Sequence, residues 1–298
     1  MPFFDLLGPA APGSGFQMEG YHVWCGSPIR GEDGRFYLFA SRWPEETLFP
    51  QGYFHHSEIV LAVTDHLSKP FQYIKTVIGK RDRAYWDGEM AHNPQILKVN
   101  GEYLLFYIGS PDGRSETRAI GMARSFSLTG DFKRPDHPIP LPPDANNPAV
   151  CQGPDGCLYM AFRDGKLRMS IARAVHADAP FEVIAFDLFP GIRVEDPFLF
   201  YRDGHFEMLA EDNRGELAGQ LKWGAHLRSK DCIHWELTDP PYAYDHTLRY
   251  QDGTQIQAIR RERPQLLFDE NGKAVALFNG VLAQGKNTWN FVQPIDHY

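Results

Sequence analysis

A pattern that recurs five times along the 298-residue chain constrains its fold more than any other feature. Each copy contains a residue followed by proline, a short apolar segment, a turn that ends in glycine, and a second apolar segment. The copies read GSPIRGEDG, HNPQILKVNG, NNPAVCQGPDG, EDPFLFYRDG and ERPQLLFDENG. Because glycine accepts the positive φ that tight hairpin turns need, each copy predicts a β-hairpin.

Five such units, spaced by roughly 50 to 65 residues, predict an all-β fold, a five-bladed β-propeller. One small sheet cannot bury both of its faces, whereas a ring of sheets packed face to face can. We expect residues 1–298 to form a single domain whose blades start near Ser27, Asn93, Asn147, Asp196 and Arg263. The proline after each of these residues suits the first position of a strand, which can spare an N–H. A two-domain β-sandwich is the competing fold, but it leaves the five residue–Pro steps unexplained.

The net charge and the N-terminal residues bear on which partners and which cellular location the chain can have. The net charge of −8 argues against a nucleic-acid partner. The sequence contains no run of about 18 apolar residues, so no membrane span is predicted. The first residues, MPFFDLLGPAAPGSG, lack the basic and apolar regions of a signal peptide, so we expect a cytoplasmic protein. The first 20 or so residues are a candidate for the outer strand that closes the ring.

The four cysteines have no metal-ligand spacing, which predicts buried free thiols at Cys25, Cys151, Cys157 and Cys232.

Polar and aromatic residues from all five units are predicted to converge on one mouth of the propeller. The residue–Pro step, the end of the second strand and the start of the third strand all reach that rim. Taken singly, each residue also has a structural interpretation, such as an Asp or Asn that caps a turn. The predicted rim group is Trp24, Ser27, Arg42, Trp43, His55, His56, Glu58, Asp87, Glu89, His92, Asn93, Asn146, Asn147, Arg163, Asp164, Glu195, Asp196, Glu211, Asp212, Trp223, His226, Arg261, Glu262, Arg263 and Asn279.

This mixture of side chains suits cleavage of a glycosidic bond. That reaction needs one carboxylic acid to protonate the leaving oxygen and one carboxylate as base or nucleophile. We expect Glu195 or Asp196 to be the acid, and Asp87 or Glu58 to be the base. Tryptophan faces stack on sugar rings, and polar side chains bind sugar hydroxyls. The predicted substrate-binding residues are Trp24, Ser27, Arg42, His92, Asn93, Asn147, Arg163, Asp212, His226, Glu262 and Arg263.

No cofactor is required by this chemistry, although His and Asp side chains directed at the central channel would suit a divalent cation.

Residues 18 to 295 also resemble the five-bladed propeller glycoside hydrolases, the group that includes families 43, 32 and 117. The segments HVWCGSPIRGEDGRFYLFASRWP, SEIVLAVTD, YWDGEMAHNPQI, RVEDPFLFYRDGHFEM, GAHLRSKDCIHWEL and RERPQLLFDENGK are most similar to uncharacterised family-43-like proteins. The resemblance implies an Asp base in the first blade, a pKa-tuning Asp in the third and a Glu acid in the fourth. Glu195, two residues before Pro197, matches the acid.

The other two family positions depart from that pattern, because the first residue–Pro step holds Ser27 and the third holds Asn147. If the base has moved, Glu58, Asp87 and Asp196 are the candidates. The leading hypothesis is a glycoside hydrolase that removes end units from a small oligosaccharide. A sugar-binding propeller without catalysis, and a phosphorylase whose Arg and His residues hold phosphate, are the alternatives.

Overall fold

A computed structural model of the chain describes residues 2–296 and 298. The described residues form strands, a single turn of α-helix, α1 (Tyr53–His56), and two short 3-10 segments (Phe3–Leu6 and Ser115–Thr117). The strands are β1 (Tyr21–Arg30), β2 (Phe36–Pro44), β3 (Glu58–Thr64), β4 (Gln72–Ile78), β5 (Met90–Val99), β6 (Glu102–Ser110), β7 (Ala119–Ser125), β8 (Asn146–Gln152), β9 (Leu158–Arg163), β10 (Met169–Ala174), β11 (Glu182–Ala185), β12 (Val194–Arg202), β13 (His205–Asp212), β14 (Gly224–Ser229), β15 (Glu236–Tyr244), β16 (Thr247–Arg249), β17 (Gln255–Phe268), β18 (Ala274–Ala283) and β19 (Trp289–Pro294).

The strands of the described residues form five antiparallel sheets, which are the five blades. Blades one to four are β1–β4, β5–β7, β8–β11 and β12–β15, each ordered from the innermost strand outwards. In blade five β17 is innermost, and the short β16 pairs only with its first residues. The innermost strands contact one another around the ring in the order β1, β5, β8, β12, β17 and back to β1. The five-bladed β-propeller predicted from the sequence is confirmed.

Each junction between neighbouring blades has its own apolar core. Phe39 of blade one packs against Leu105 of blade two, and Leu199 of blade four packs against residues of blade three. The same arrangement joins the other three pairs of neighbours, blades two and three, four and five, and five and one. The apolar residues of the repeats therefore hold the ring together by covering both faces of every blade.

The residue–Pro steps lie inside the innermost strands rather than at their first residues, which differs from the prediction. Each innermost strand has a β-bulge at which two of its residues face one residue of the second strand. A proline is tolerated there because a bulge leaves an N–H out of the ladder. The first bulge residue has a φ between 51° and 55° in every blade, and these residues are Cys25, Asn93, Asn147, Asp196 and Arg263.

The N-terminal segment runs along the outer edge of blade five. Leu7 forms a bridge with Ile295, and Phe16 exchanges backbone hydrogen bonds with Asn290. Gly15 in turn accepts a hydrogen bond from the backbone N–H of Phe71 in blade one. The segment thus joins the last blade to the first. In the part of the chain that the structure describes, we find no helix long and apolar enough to cross a membrane.

Candidate functional site

A cavity of about 200 Å³ opens at the rim where the second strands end, as the sequence predicted for the mouth. Side chains from all five blades and from the β2–β3 connection line it. The lining residues are Trp24, Cys25, Trp43, Phe49, Pro50, Tyr53, His92, Asn93, Arg118, Asn146, Asn147, Arg163, Glu195, Asp196, Arg260, Glu262 and Arg263. Of the predicted site residues, Trp24, His92, Asn93, Asn147, Arg163, Glu195, Asp196, Glu262 and Arg263 meet here.

The five bulge residues form a ring of side chains at the bottom of this cavity. The Cys25 thiol donates to Asn93 Oδ1 (2.8 Å), and Asn93 Nδ2 donates to Asn147 Oδ1 (2.6 Å). Asn147 Nδ2 then donates to Asp196 Oδ1 (2.7 Å), and Arg263 Nη1 lies 3.5 Å from the same oxygen. All five residues are buried. The bulges aim these side chains at the propeller axis, so backbone geometry assembles the floor of the cavity.

Donors and acceptors run in one direction around the ring. Each amide accepts from the preceding residue and donates to the next, and the chain of bonds ends on the Asp196 carboxylate. Burial raises the pKa of the Cys25 thiol well above its usual value, although the charge of Arg263 opposes this effect. Cys25 therefore enters the ring as a neutral donor.

The bulge position of blade one holds Cys25, and the sequence-based assignment of Ser27 to it was wrong. Ser27 lies two residues further along β1, where its hydroxyl contacts Gln265 and accepts from the backbone N–H of Ile96. The second bulge residue is Gly26 in this blade and proline in the others. The Gly26 N–H donates to Asn290 Oδ1 (2.7 Å), and a Cβ on Gly26 would lie 2.7 Å from the same side chain. Proline could not replace it.

Glu195 and Glu262 occupy equivalent positions, each directly before the bulge residue of its blade. Arg163, at the end of β9, pairs with the Glu195 carboxylate. Glu262 is more deeply buried. Burial, with the negative charge of Asp196, raises the pKa of Glu262 to about 7. Two carboxyl groups therefore face one cavity, one in contact with an arginine and the other buried beside an aspartate.

Glu211 completes a cluster of three acids with Asp196 and Glu262. Their ligand oxygens lie within 4.8 Å of one another. Burial, followed by the charges of Glu262 and Asp196, raises the pKa of Glu211 well above its ordinary value. The Lys222 ammonium lies 3.3 Å from Glu211. Carboxylate oxygens are the ligands that hard cations take, so this cluster is the group best suited to a divalent cation in the described part of the chain.

An aromatic wall forms one side of the cavity. Phe49 lies 5.0 Å from Trp24 and 5.7 Å from Trp43, measured between ring centroids. The Tyr53 ring, on α1, stacks on His92 at 4.4 Å, and the Ser57 hydroxyl bonds to Nδ1 of His92. Burial lowers the pKa of His92 well below its usual value, so the imidazole is neutral. Flat apolar faces beside polar groups suit a sugar ring.

Asp87, expected as a catalytic base, lies outside the cavity. It is fully buried, and it accepts hydrogen bonds from Arg81 (2.5 Å), Arg134 (2.6 Å) and the Tyr107 hydroxyl (2.7 Å). Its oxygens therefore bond to side chains that hold the segment before β5 in place. Trp86, next to it, packs against the Tyr107 ring.

Glu58 and Arg42 are also not brought to the cavity. The Glu58 carboxylate pairs with the Arg42 guanidinium at 2.6 Å, and Arg42 lies over the rings of Tyr21 and Tyr73. Side chains alternate between the faces of a strand, so Trp43 reaches the cavity while its neighbour Arg42 points to the other face of blade one.

Two predicted binding residues of blade four have contacts elsewhere. The Asp212 carboxylate accepts hydrogen bonds from the backbone N–H groups of residues 214, 215, 217 and 218, and these bonds hold the β13–β14 connection in place. His226 bonds to Glu207 (2.8 Å), beside the Tyr298 hydroxyl and the Phe3 ring. Both sets of contacts are structural, because neither residue lines the cavity.

Several cavity residues were not predicted as site residues. Tyr53 and Phe49 lie in the connection after β2, and Arg118 precedes β7, where it bonds to Asp144 (2.7 Å) and the Tyr53 hydroxyl (3.1 Å). Arg260 adjoins Glu262 at 3.4 Å. Sequence patterns gave no signal for the connections, but Arg260 stands in the run RRER directly before the fifth proline.

No protein-family model matches the chain, and no curated protein matches it. Solved structures do match. One is a family 117 glycoside hydrolase produced by the marine bacterium Zobellia galactanivorans, with a TM-score of 0.69, 14% identity, and coverage of 98% of this chain and 89% of that one. Another is a family 43 β-xylosidase/α-arabinofuranosidase from a compost microbial metagenome, in complex with xylotriose (TM-score 0.66, 14% identity, coverage 98% and 96%). The chain has the propeller fold of these glycoside hydrolases.

The likeness extends to a family 43 protein from Bacillus licheniformis, with a TM-score of 0.65 and 17% identity. The match covers 96% of this chain and 54% of that one, so this propeller spans about half the length of that protein. The resemblance drawn from the sequence is confirmed at the level of the fold.

Proposed function

We propose that the chain cleaves the glycosidic bond of a small carbohydrate in the cavity at the propeller mouth. The observation that carries this proposal is the pair Glu195 and Glu262, which line one cavity from equivalent positions: the Arg163 guanidinium contacts Glu195, whereas burial and Asp196 raise the pKa of Glu262 to about 7. Glycoside cleavage needs one protonated and one ionised carboxyl group. The solved structures of similar fold support the same class of reaction, since their names describe glycoside hydrolases.

In this mechanism Glu262 donates a proton to the leaving-group oxygen, and Glu195 acts as base or nucleophile at the anomeric carbon. The role of Glu195 is the reverse of the one that the family resemblance implied, because the raised pKa belongs to Glu262 and the Arg163 guanidinium contacts Glu195. Asp196 supports the acid, since its negative charge helps to keep the Glu262 proton in place. The aromatic wall would bind the apolar face of the sugar.

The size and shape of the cavity support action on a terminal sugar. The hydrogen-bonded ring closes its floor, and its volume of about 200 Å³ suits a single sugar unit rather than a long chain. A sugar-binding protein without catalysis is the second candidate, because Cys25 and Asn147 stand where the family resemblance implies acids.

Aryl glycosides with good and poor leaving groups test the two roles separately. We expect Glu262→Gln to lose at least 100-fold in kcat/KM with a poor leaving group and far less with dinitrophenol, which needs no proton. Glu195→Gln would lose activity with both, and azide would restore part of it. Glu236→Gln, an exposed change on the outermost strand of blade four, is the matched control.

Parallel assays with a chelator and with added calcium report whether a cation is needed. Full activity of Glu262→Gln and Glu195→Gln with every leaving group would refute the catalytic roles of the two residues. Sugar binding by calorimetry without turnover on any glycoside would favour the second candidate.

A further inference from the structure

Arg263 is a buried guanidinium that has an ion pair with Asp196 but no well-formed hydrogen bond. It is 1% exposed, and none of its three side-chain nitrogens has a hydrogen-bond partner among the described residues. The nearest carboxylate, Asp196, lies at 3.5 Å and already accepts from Asn147. Buried donors without partners are rare and costly in folded proteins. Arg263 lines the cavity, so a ligand bound there would lie beside it.

The lining of the cavity contains more cationic than anionic side chains. Four arginines (Arg118, Arg163, Arg260 and Arg263) face it, against the three carboxyl groups of Glu195, Asp196 and Glu262. The first three arginines are paired with Asp144, Glu195 and Glu262, which leaves Arg263 as the one without a hydrogen-bonded carboxylate among the described residues. Arg163 also has a buried Nε without a partner among the described residues.

The neutral side chains in the ring also affect the charge around Arg263. Cys25 and Asn147 occupy the positions at which the family resemblance implies carboxylates, and both flank the Asp196–Arg263 end of the ring. A carboxylate at either position would offset the charge of Arg263 and repel an anion. Their neutrality leaves Asp196 as the acid of the ring that offsets the charge of Arg263.

We propose that the cavity recognises an oxyanion, which Arg263 binds through its planar guanidinium with Arg163 and Arg260 beside it. Such a group presents two oxygens that match the paired N–H donors of arginine. The oxyanion has two sources, a carboxylate carried by an acidic sugar or free phosphate that acts together with a neutral sugar. This inference rests on the proposed function, since it names the substrate class of the same site.

Calorimetric binding to the whole protein tests the oxyanion site without any need for turnover. The probes are D-galacturonate, D-galactose and inorganic phosphate, each titrated at low and high salt. We expect one of the two anions to bind at least tenfold more tightly than galactose, and to weaken as salt increases.

Arg263→Met would remove that preference, and Arg263→Lys would weaken it at least fivefold because lysine lacks the planar fork. Arg260→Gln, at a partly exposed side chain, tests the same site if the Arg263 variants fail to fold. Arg35→Gln, an exposed change in the β1–β2 turn, would leave binding unchanged.

Turnover assays then distinguish the sources. Preferred hydrolysis of uronides identifies the sugar carboxylate. Phosphate-dependent turnover that yields a sugar 1-phosphate identifies free phosphate: a phosphate oxygen bonds to the anomeric carbon as the glycosidic C–O bond breaks, and Glu262 protonates the leaving oxygen.

Equal binding of galactose and both anions, or no binding of either anion, would overturn the oxyanion site. Hydrolysis of neutral glycosides in that case would leave the proposed function standing. Anion binding lost in Arg263→Met, without turnover of any glycoside, would support the site and refute the catalytic proposal.

Discussion

Replacing Asp87 by alanine removes a fully buried carboxylate that three side chains contact, and we expect a large loss of stability. Arg81 and Arg134 bond to it at 2.5 and 2.6 Å, and both guanidiniums are themselves mostly buried. Removing one partner of a buried ion pair costs about 3–5 kcal/mol, because the other charge stays buried without compensation. Two cations share Asp87, so we expect about 4 kcal/mol for Asp87→Ala, measured as the free energy of unfolding in urea.

Tyr107→Phe gives the matched control for this magnitude. It deletes only the phenol that donates to Asp87 at 2.7 Å, and it leaves both ion pairs in place. A single neutral-donor hydrogen bond to a charged group contributes about 1.5–3 kcal/mol, so we expect a loss of about 2 kcal/mol. In the Asp87→Asn/Tyr107→Phe double variant the losses would not add, since both changes act on one cluster.

Activity separates this structural role from the catalytic role that the sequence suggested. The Asp87→Asn protein, assayed well below its unfolding temperature, would retain kcat/KM within a few-fold of the unaltered chain, because Asp87 does not line the cavity. A loss of 1000-fold or more in activity, with unfolding free energy changed by under 1 kcal/mol, would refute this reasoning and restore Asp87 as a candidate base.

Two further predictions concern the ring and the acid beside it. Cys25→Ser would preserve stability within about 1 kcal/mol, since the hydroxyl can donate to Asn93 Oδ1 as the thiol does. Cys25→Ala would lose about 1–3 kcal/mol, because it leaves the buried Asn93 Oδ1 without this donor. Equal melting temperatures of the two variants would contradict the ring. The raised pKa of Glu262 means that its protonated form stabilises the fold at low pH and that this contribution is lost as pH rises through about 7. The melting temperature of Glu262→Gln minus that of the unaltered chain should therefore increase between pH 5 and pH 8. A difference that does not change with pH would contradict the raised pKa.

The fold was predictable from the sequence because its signals are local and repeated. Every hairpin turn carries its glycine, and the apolar residues beside it form the junctions between blades. The positions of Glu195, Asp196 and Arg263 followed from the same repeats, since a residue beside a bulge in one blade is beside the axis in all of them. In blades two to five the residue before the repeated proline is the first residue of the bulge, whereas in blade one it is not.

The rest of the site depends on contacts that no local pattern contains. Asp87 and Glu58 stand at the predicted rim, but the arginines that bind them come from other segments, Arg81 and Arg134 for Asp87 and Arg42 for Glu58. Blade one was misaligned because Gly26 replaces the proline that marks the bulge elsewhere, and the Ser27–Pro28 step two residues later imitates it. The reason for Gly26 is a side chain more than 260 residues away, Asn290.

The backbone of the ring shows which of its members are suited to their positions by conformation and which by chemistry. All five bulge residues adopt a positive φ, a region in which Asn and Asp are enriched, so the backbone conformation suits Asn93, Asn147 and Asp196. It does not suit Cys25 and Arg263, and it costs about 1–2 kcal/mol at each of these two residues. Cys25 begins the directional chain of hydrogen bonds as a neutral donor, and Arg263 lies 3.5 Å from Asp196, the residue on which that chain ends. Strain retained at both positions indicates that the side chains there meet a requirement of the cavity, because an Asn at either would satisfy the backbone better.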